Sequence, residues 1–292
     1  MKQITVLSGK GGVGKSSITA SFAVVLSKKI KVLCVDCDVD ASNLGLVLGL
    51  RENDFLSWNK ISTSKKAVID NEKCISCKLC IENCYFGAIE QRDNKIVVKE
   101  FGCEGCGVCE LVCPNNAVKL KDVQNGKIGT GKTKYGFEII SGTLAAGESG
   151  SGKIVHEIRK LASKKENIDL ILNDAPAGIG CPVIASVAGA NYCVIVTEPT
   201  PSGFSDFKRA FGMVSHFRIK SGLIINKYDL NEAFTQEIEE YAKKQGIELI
   251  GKIQYDKSFL YALVNLTPVV EYNKKTMPAF KAIAEKIELN IK

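Results

Sequence analysis

The sequence predicts an α/β fold with a mostly parallel sheet, interrupted by a small inserted α+β module. Three observations predict it. Apolar runs of strand length alternate with segments of helical periodicity toward both ends of the chain. That alternation breaks off near Ser57 and resumes beyond Lys121. The stretch between is short-segmented and holds eight of the twelve cysteines. The expected boundaries are 1–62 and 124–292 for the two parts of the α/β domain and 63–123 for the insert.

The elements follow in order. Residues 3–8, QITVLS, form a short buried strand, and SSITASFAVVLSKK has helical periodicity. KVLCVDCDVD is a second apolar strand ending in acidic residues, which completes a β-loop-α-β opening. Beyond the insert come a helix in IVHEIRKLASKK and strands in IDLILNDAPAG and NYCVIVTEPT. A helix in FSDFKRAFGMVSHF, a strand in SGLIINKYD, a helix in TQEIEEYAKKQ and a strand in ELIGKIQYD complete the pattern. The last segment, PAFKAIAEKIELNIK, carries an apolar stripe at ordinary core-facing spacing, so it is expected to pack and not to bind a membrane.

Composition excludes several classes. The chain has 292 residues, 45% hydrophobic and 24% charged, enough for a sizeable core. No apolar run approaches the ~20 residues that span a bilayer. The N-terminus enters KQITVLSGKGG without a signal region, so a cytoplasmic location is expected. The net charge of +7 is dispersed in SKK, KKAV and SKKEN, a solvated surface and not a nucleic-acid stripe. His156 and His216 are the only histidines, which argues against histidine-based metal sites. Cysteines in such a chain point to metal or redox chemistry, not structural disulfides.

The insert contains an internal repeat. Cys74, Cys77, Cys80 and Cys84 recur 29 residues later as Cys103, Cys106, Cys109 and Cys113, and GAI at 87–89 recurs as NAV at 116–118. Both runs read C-x2-C-x2-C-x3-C, the run of two-cluster bacterial ferredoxins, whose fourth cysteine ligates the other cluster. This assigns Cys74, Cys77, Cys80 and Cys113 to one [4Fe-4S] cluster and Cys84, Cys103, Cys106 and Cys109 to the other. Tyr85 stands where proline is usual, a departure that removes no ligand. Paired zinc sites are the competing reading, but zinc usually takes two separated C-x2-C pairs.

Three glycine-rich stretches invite a phosphate: GKGGVGKS at 9–16, GKIGTGKT at 126–133 and GESGSGKI at 147–154. Only the first lies between a strand and a helix, where backbone N–H groups and the helix N-terminus face a phosphate. The second is expected to be a hairpin or loop. The third lacks the magnesium-ligating hydroxyl and reads as a loop near a nucleotide or partner. In the first, Gly9, Gly11, Gly12, Val13 and Gly14 form the cradle, Lys15 reaches the β/γ-phosphates, Ser16 binds Mg²⁺ and Ser17 meets the α-phosphate.

KGGVGKS, with Lys10 just after the first glycine, resembles the deviant phosphate loop of the MinD/ParA class of ATPases, which includes the nitrogenase iron protein, arsenite-pump ATPases and metallocofactor-assembly ATPases. The resemblance implies a P-loop NTPase domain, a homodimer when ATP-bound, and a Lys10 that reaches nucleotide, typically across the dimer interface. VDCDVD matches the family's first switch: Asp36 would hold the Mg²⁺ shell and Asp38 would orient the attacking water, while Asp40 is less specific. LILNDAPAGIG matches the Walker B strand and second switch, with Asp174 at the magnesium and Pro176, Ala177 and Gly178 in the γ-phosphate-sensing turn. Asn226, followed by Lys227, matches the base-binding asparagine. NKYD also fits the NKxD pattern of GTP-binding proteins, and the resemblance favours ATP.

The remaining cysteines carry weaker signals. Cys34 and Cys37 have metal-like spacing but lie on a strand, where positions three apart face opposite sides, so they read as core. Cys193 reads as core also. Cys181 follows the second switch, where the nitrogenase iron protein carries a ligand of a subunit-bridging cluster, but no second cysteine accompanies it in GESGSGK; it reads as a helix-start residue. Three functions follow: an ATPase that couples nucleotide and dimerisation to electron transfer toward a partner, an ATP-dependent metallocofactor maturation factor, and a positioning ATPase of the partition or division type.

Overall fold

The computed structural model describes residues 1–291 and forms two compact units, one of Met1–Trp58, Ile128–Thr143 and Ser151 onward, the other of Asn59–Lys127 and Leu144–Gly150. The chain opens with β1 (Lys2–Ser8), α1 (Lys15–Leu26), β2 (Val32–Asp36) and the short α2 (Leu44–Val47). It leaves through β3 (Ser57–Ile61) and folds β4 (Ser64–Ile69), α3 (Leu79–Glu82), β5 (Ile89–Arg92), β6 (Lys95–Val98), α4 (Val108–Leu111) and β7 (Val118–Val123). It returns by β8 (Gly126–Lys132) and β9 (Glu138–Leu144), followed by α5 (Ser151–Ser163), β10 (Leu170–Ala177), α6 (Cys181–Val187), β11 (Tyr192–Thr197) and α7 (Pro201–His216). β12 (Ser221–Asn226), α8 (Glu232–Lys244), β13 (Glu248–Ile253), α9 (Ser258–Val264), α10 (Val269–Tyr272) and α11 (Met277–Ile291) complete it.

Nine strands form one sheet in the order β13-β12-β11-β1-β10-β2-β9-β8-β3. From β13 to β9 each neighbouring pair is parallel. Such strands are covered on both faces, which is why β2 and β11 are buried at every position. Alternation divides their side chains between two cores. Tyr192, Val194 and Val196 pack with Phe22 of α1 and Phe280 of α11, whose rings meet edge to face at 5.5 Å. Cys193 and Ile195 face the other way, toward Phe207, Val214 and Ile238. The apolar stripe of α11 is spent on the core: Phe280, Ile283, Ala284 and Ile287 are buried.

The second glycine stretch is the first arm of the expected hairpin. GKIGTGKT is strand β8 of the large sheet and turns into β9 through a short connection in which the Thr133 N–H donates to the Phe137 carbonyl. Its glycines serve packing. A Cβ on Gly129 would lie 2.7 Å from the Trp58 ring, and one on Gly131 would crowd Leu50 and Phe55. Residues two apart share a strand face, so both glycines clear that face for rings that themselves meet at 4.8 Å.

The unit boundaries also differ from the expected 62/63 and 123/124. They fall at 58/59 and 127/128, and the expected α/β segment 124–292 gives up Leu144–Gly150 to the second unit. Asn125 explains this. It is fully buried, accepts the Thr63 N–H at 2.8 Å, donates to the Ser149 carbonyl at 2.9 Å, and its own carbonyl accepts the Ala145 N–H. The partly buried Lys66–Glu148 pair adds a second fastening at 2.5 Å. The third glycine stretch therefore begins as part of the cysteine-rich unit and ends as the first turn of α5.

That unit is duplicated in its backbone. Left-handed residues recur at the repeat offset as Ser76 and Gly105, Lys78 and Gly107, and Gly87 and Asn116. α3 and α4 correspond, and β4 pairs antiparallel with β7 as β6 does with β5. Ala67, Ile89, Ile96 and Val118 form its small core together with Cys80 and Cys109, and Cys74, Cys84, Cys103 and Cys113 pack against it, while Cys77 and Cys106 are exposed.

Candidate functional site

The residues singled out for nucleotide chemistry converge at the C-terminal ends of parallel strands: the glycine loop after β1, Asp36 at the end of β2, Asp174 in β10 and Asn226 closing β12, with Glu198 after β11 joining them. β1 leads to β2 on one side and its neighbour β11 leads to β12 on the other, so the connections leave this pair in opposite directions along the sheet. Open α/β sheets bind ligands at such a switch point.

The loop's glycines have separate reasons. Gly9 touches the backbone of α7, since a Cβ there would lie 2.1 Å from the Asp206 carbonyl oxygen. Gly12 and Gly14 have φ of 81° and 90°, and Gly14 caps α1 in the left-handed conformation. Gly14 also leaves room for Asn226, whose amide donates to the Val13 carbonyl at 2.7 Å. Ser16 and Ser17 fall in the first turn of α1, and the loop's N–H groups and the helix N-terminus together make an anion site.

Asp174 organises the floor. Its carboxylate pairs with Lys15 at 2.8 Å and accepts the hydroxyls of Ser16 at 2.6 Å and Thr19 at 2.8 Å. Lys15 is only 7% exposed and Asp174 1%, so each needs the other. Asp36 accepts from Ser42 Oγ at 2.7 Å and from the Leu44 and Asp38 N–H groups. Burial, then the neighbouring Asp174, pushes the Asp36 carboxyl up to about 7, against the pull of Ser42, Lys15 and the Leu44 N–H. Asp38 is half-buried, which raises its pKa, and accepts the Ala41 N–H; Asp40 is exposed. The hydroxyl of Ser16 and the carboxylates of Asp36 and Asp174 form an all-oxygen set suited to Mg²⁺, and the raised carboxyl of Asp36 is the strain a divalent cation would relieve. The Gly178 N–H donates to the Ser8 carbonyl at 2.9 Å, tying the turn after Pro176 and Ala177 to the end of β1.

Lys10 pairs with Glu198 of its own chain at 3.0 Å, and Lys227 holds the other Glu198 oxygen at 2.9 Å. Burial raises the Glu198 carboxyl, but the two lysines outweigh it and hold it below its ordinary range. Asp229 of NKYD accepts the Tyr255 N–H at 2.7 Å, so one of its oxygens serves the fold. Sequence reading missed Thr19, Ser42 and Glu198. Thr19 had a signal, one helical turn beyond Lys15; Glu198, in TEPT at a strand end, had only its position.

The cysteines separate as well. Cys74, Cys77, Cys80 and Cys113 line one small cavity of about 20 Å³, and Cys84, Cys103, Cys106 and Cys109 line another of about 20 Å³. Each cavity takes three cysteines from one run and the fourth from the other. The Ala88 and Ala117 N–H groups donate to Cys84 and Cys113 at 3.3 and 3.2 Å, which gives the repeated alanine of GAI and NAV a role. The Ala67 N–H does the same for Cys103. Among the described residues no three His, Cys, Asp or Glu side chains converge closely enough to hold a single metal ion. Cys34, Cys37 and Cys193 are buried thiols, Cys37 and Cys193 pushed up to about 12 by desolvation, and Cys34 and Cys193 belong to opposite cores. Cys181 is exposed at the start of α6, against Gly152. His156 and His216 are exposed.

A glycine loop running from a strand into a helix, with Lys15, Ser16 and two strand-end aspartates beneath it, defines a P-loop nucleotide-binding protein. The chain belongs to the family described as the CobQ/CobB/MinD/ParA nucleotide binding domain, which matches residues 4–269. An uncharacterized protein of Methanocaldococcus jannaschii, MJ0578, is 32% identical over 98% of this chain and 96% of its own. The septum site-determining protein MinD of Helicobacter pylori is 24% identical over 97% of this chain and 89% of its own. In fold the chain is similar to MinD of Pyrococcus horikoshii complexed with Mg-ADP, with a TM-score of 0.60, 20% identity and coverage of 98% and 96%. The cell division ATPase MinD of Pyrococcus furiosus gives a TM-score of 0.61 at 22% identity, covering 99% and 98%. No helix among the described residues is long and apolar enough to cross a membrane.

Proposed function

We propose that this protein is a Mg²⁺-dependent, nucleotide-switched ATPase whose ATP binding, hydrolysis and dimerisation are coupled to electron transfer through two [4Fe-4S] clusters to a partner protein. The observation that carries the reading is the partition of eight cysteines into two alike cavities, each completed by the distant run. Four thiolates on one zinc ion must crowd within reach of a single atom, whereas thiolates on a cubane each meet a different iron and stand farther apart. Each cavity takes three cysteines from one run and the fourth from the other, the ligation that the two-cluster ferredoxin run implies. Such a cluster, when bound, supplies one-electron transfer. This chain's part is to fix the thiolates, donate Ala67, Ala88 and Ala117 N–H groups to them, and exclude water with Ile69, Ile89 and Ile96.

At the nucleotide site Lys10 and Lys15 neutralise phosphate charge, Ser16, Asp36 and Asp174 hold Mg²⁺, and Asp38 orients the attacking water. Asn226 and Lys227 meet the base side of the nucleotide, with ATP favoured because Asp229 is partly engaged by the Tyr255 N–H. Catalysis of this kind is positioning and electrostatics.

Two other readings have support. A maturation factor would use the same ATPase to place a metallocofactor in a client; the complete quartets favour resident clusters over cargo. A positioning ATPase is favoured by the names of the MinD relatives, and MinD of Aquifex aeolicus has been solved as a MinC:MinD complex. The burial of the α11 stripe in the core weighs against a membrane role for that helix.

The deciding experiment reduces anaerobically reconstituted protein and follows its reoxidation by candidate acceptors with ATP, with ADP and in Asp38→Ala. Reoxidation rates that follow the nucleotide support the redox reading. Rates indifferent to nucleotide sink it, and transfer of iron or sulfide to the acceptor establishes the maturation reading.

A further inference from the structure

Lys10 is the residue that sets this loop apart, yet it points into its own chain. Its ammonium lies 3.0 Å from Glu198 Oε1 and 3.2 Å from Ser202 Oγ at the start of α7. The second Glu198 oxygen is 2.9 Å from Lys227, which also reaches the Gly12 carbonyl at 3.3 Å. One carboxylate, whose side chain is 13% exposed, is thus shared by two lysines at the mouth of the phosphate loop. The rest of the loop gives Lys10 no other carboxylate: Asp174 belongs to Lys15, Ser16 and Thr19.

We propose that Glu198 is a positioning residue for Lys10, an internal stand-in for phosphate that keeps this lysine folded against its own chain until a bound triphosphate competes for it. A lysine ammonium that pairs with Glu198 is directed away from the phosphates, so its use by nucleotide requires that this pair open. The sharing keeps the cost of opening low. When Lys10 leaves, Glu198 retains Lys227 and is not stranded as an unpaired, largely buried charge. Glu198 therefore sets a threshold on loading, and ties the release of Lys10 to occupancy of the loop.

The test is a double-mutant cycle read by calorimetric binding of a non-hydrolysable ATP analogue to the full chain with Mg²⁺. Glu198→Gln is expected to tighten binding about 1.4- to fivefold, the range for a partly exposed ion pair. The KM for ATP should fall with it while kcat stays within about twofold, since only loading is altered. In a Lys10→Gln background the same Glu198 change should gain nothing. Ser202→Ala, which loosens Lys10 but leaves the carboxylate, should tighten binding by a smaller factor. Weaker or unchanged binding in Glu198→Gln overturns the proposal. So does an equal gain with and without Lys10, because removal of a negative charge near phosphate would then explain it. The inference rests on the nucleotide role proposed for Lys10, and the two fail differently: Lys10→Gln alone leaving affinity and turnover unchanged removes that role, whereas loss in Lys10→Gln with no gain in Glu198→Gln removes only the stand-in.

Discussion

Asp36 and Asp174 stand directly opposite each other on adjacent parallel strands, β2 and β10. Both are buried, so two carboxylates share a site that water cannot neutralise. Lys15, Ser16 and Thr19 all serve Asp174, while the Asp36 carboxyl is raised by burial and then by the neighbouring Asp174.

This pair makes stability depend on pH. Burial, then Asp174, raises the Asp36 carboxyl from 3.8 to about 7 in the folded protein, while Ser42, Lys15 and the Leu44 N–H oppose the rise. Between those values the native state binds the extra proton, so the contribution is fully present below about pH 4 and is lost as pH rises through about 7. Without Mg²⁺ and nucleotide, the melting temperature should fall from pH 5 to 7.5, more steeply than in Asp36→Asn. Parallel profiles for the two proteins would refute this.

The Lys15–Asp174 pair predicts a strong asymmetry between single and double variants. Asp174→Ala leaves Lys15, at 7% exposure, without a counter-ion, and breaking such a pair costs about 3–5 kcal/mol. Adding Lys15→Met should recover a large part of that loss in denaturant unfolding, although ATP hydrolysis stays abolished in both. A double variant no more stable than Asp174→Ala would show that the pair is not what Asp174 contributes.

Asp38 is half-buried beside the carboxylate pair and hydrogen-bonded only through the Ala41 N–H among the bonds assigned to its side chain. It is well placed to orient water without supporting the fold. Asp38→Ala should reduce ATP turnover about a hundredfold or more while ATP affinity changes little. Dimer mass measured with Mg-ATP should persist over time in the variant and decay in the parent chain.

How much was legible depended on whether the informative residues were neighbours in sequence. The phosphate loop, Asp36 and Asp174 are strand-end motifs, and the cysteine runs keep local spacing, so all were readable. Glu198 lies 188 residues from Lys10 and Thr19 lies 155 from Asp174; nothing local announces a partner that far away. Asn125 was invisible for the same reason, and with it the transfer of Leu144–Gly150 to the cysteine-rich unit. GKIGTGKT shares the phosphate-loop pattern for a different cause. Glycine lets a backbone approach a phosphate, and equally lets an aromatic ring lie on a strand, and the pattern alone does not separate the two.

Trp58 makes that last point measurable, since it is the chain's single tryptophan. Its ring occupies the place of a Gly129 Cβ and meets Phe55 at 4.8 Å. Gly129→Val should destabilise the protein by about 1–3 kcal/mol through overpacking and change the tryptophan emission, with nucleotide affinity preserved. Loss of nucleotide binding with an unchanged spectrum would return this stretch to the phosphate-loop reading.

The crossing of the cysteine runs gives the sharpest test of the iron–sulfur proposal. Cys113 belongs to the second run but lines the cavity of Cys74, Cys77 and Cys80, and Cys84 belongs to the first run but lines the cavity of Cys103, Cys106 and Cys109. Reconstituted protein should hold about eight irons, four per cubane. Cys77→Ser and Cys113→Ser, from different runs, should each lower this to about four, and their combination should lose no more. Cys77→Ser combined with Cys84→Ser, both within one run, should leave almost none. Electron paramagnetic resonance of the reduced protein should show the coupled two-cluster signal only in the parent chain. Iron loss that follows the runs and not the cavities would disprove the crossed ligation, and a content of about two metal ions per chain, zinc in place of iron, would replace the clusters with simple metal sites.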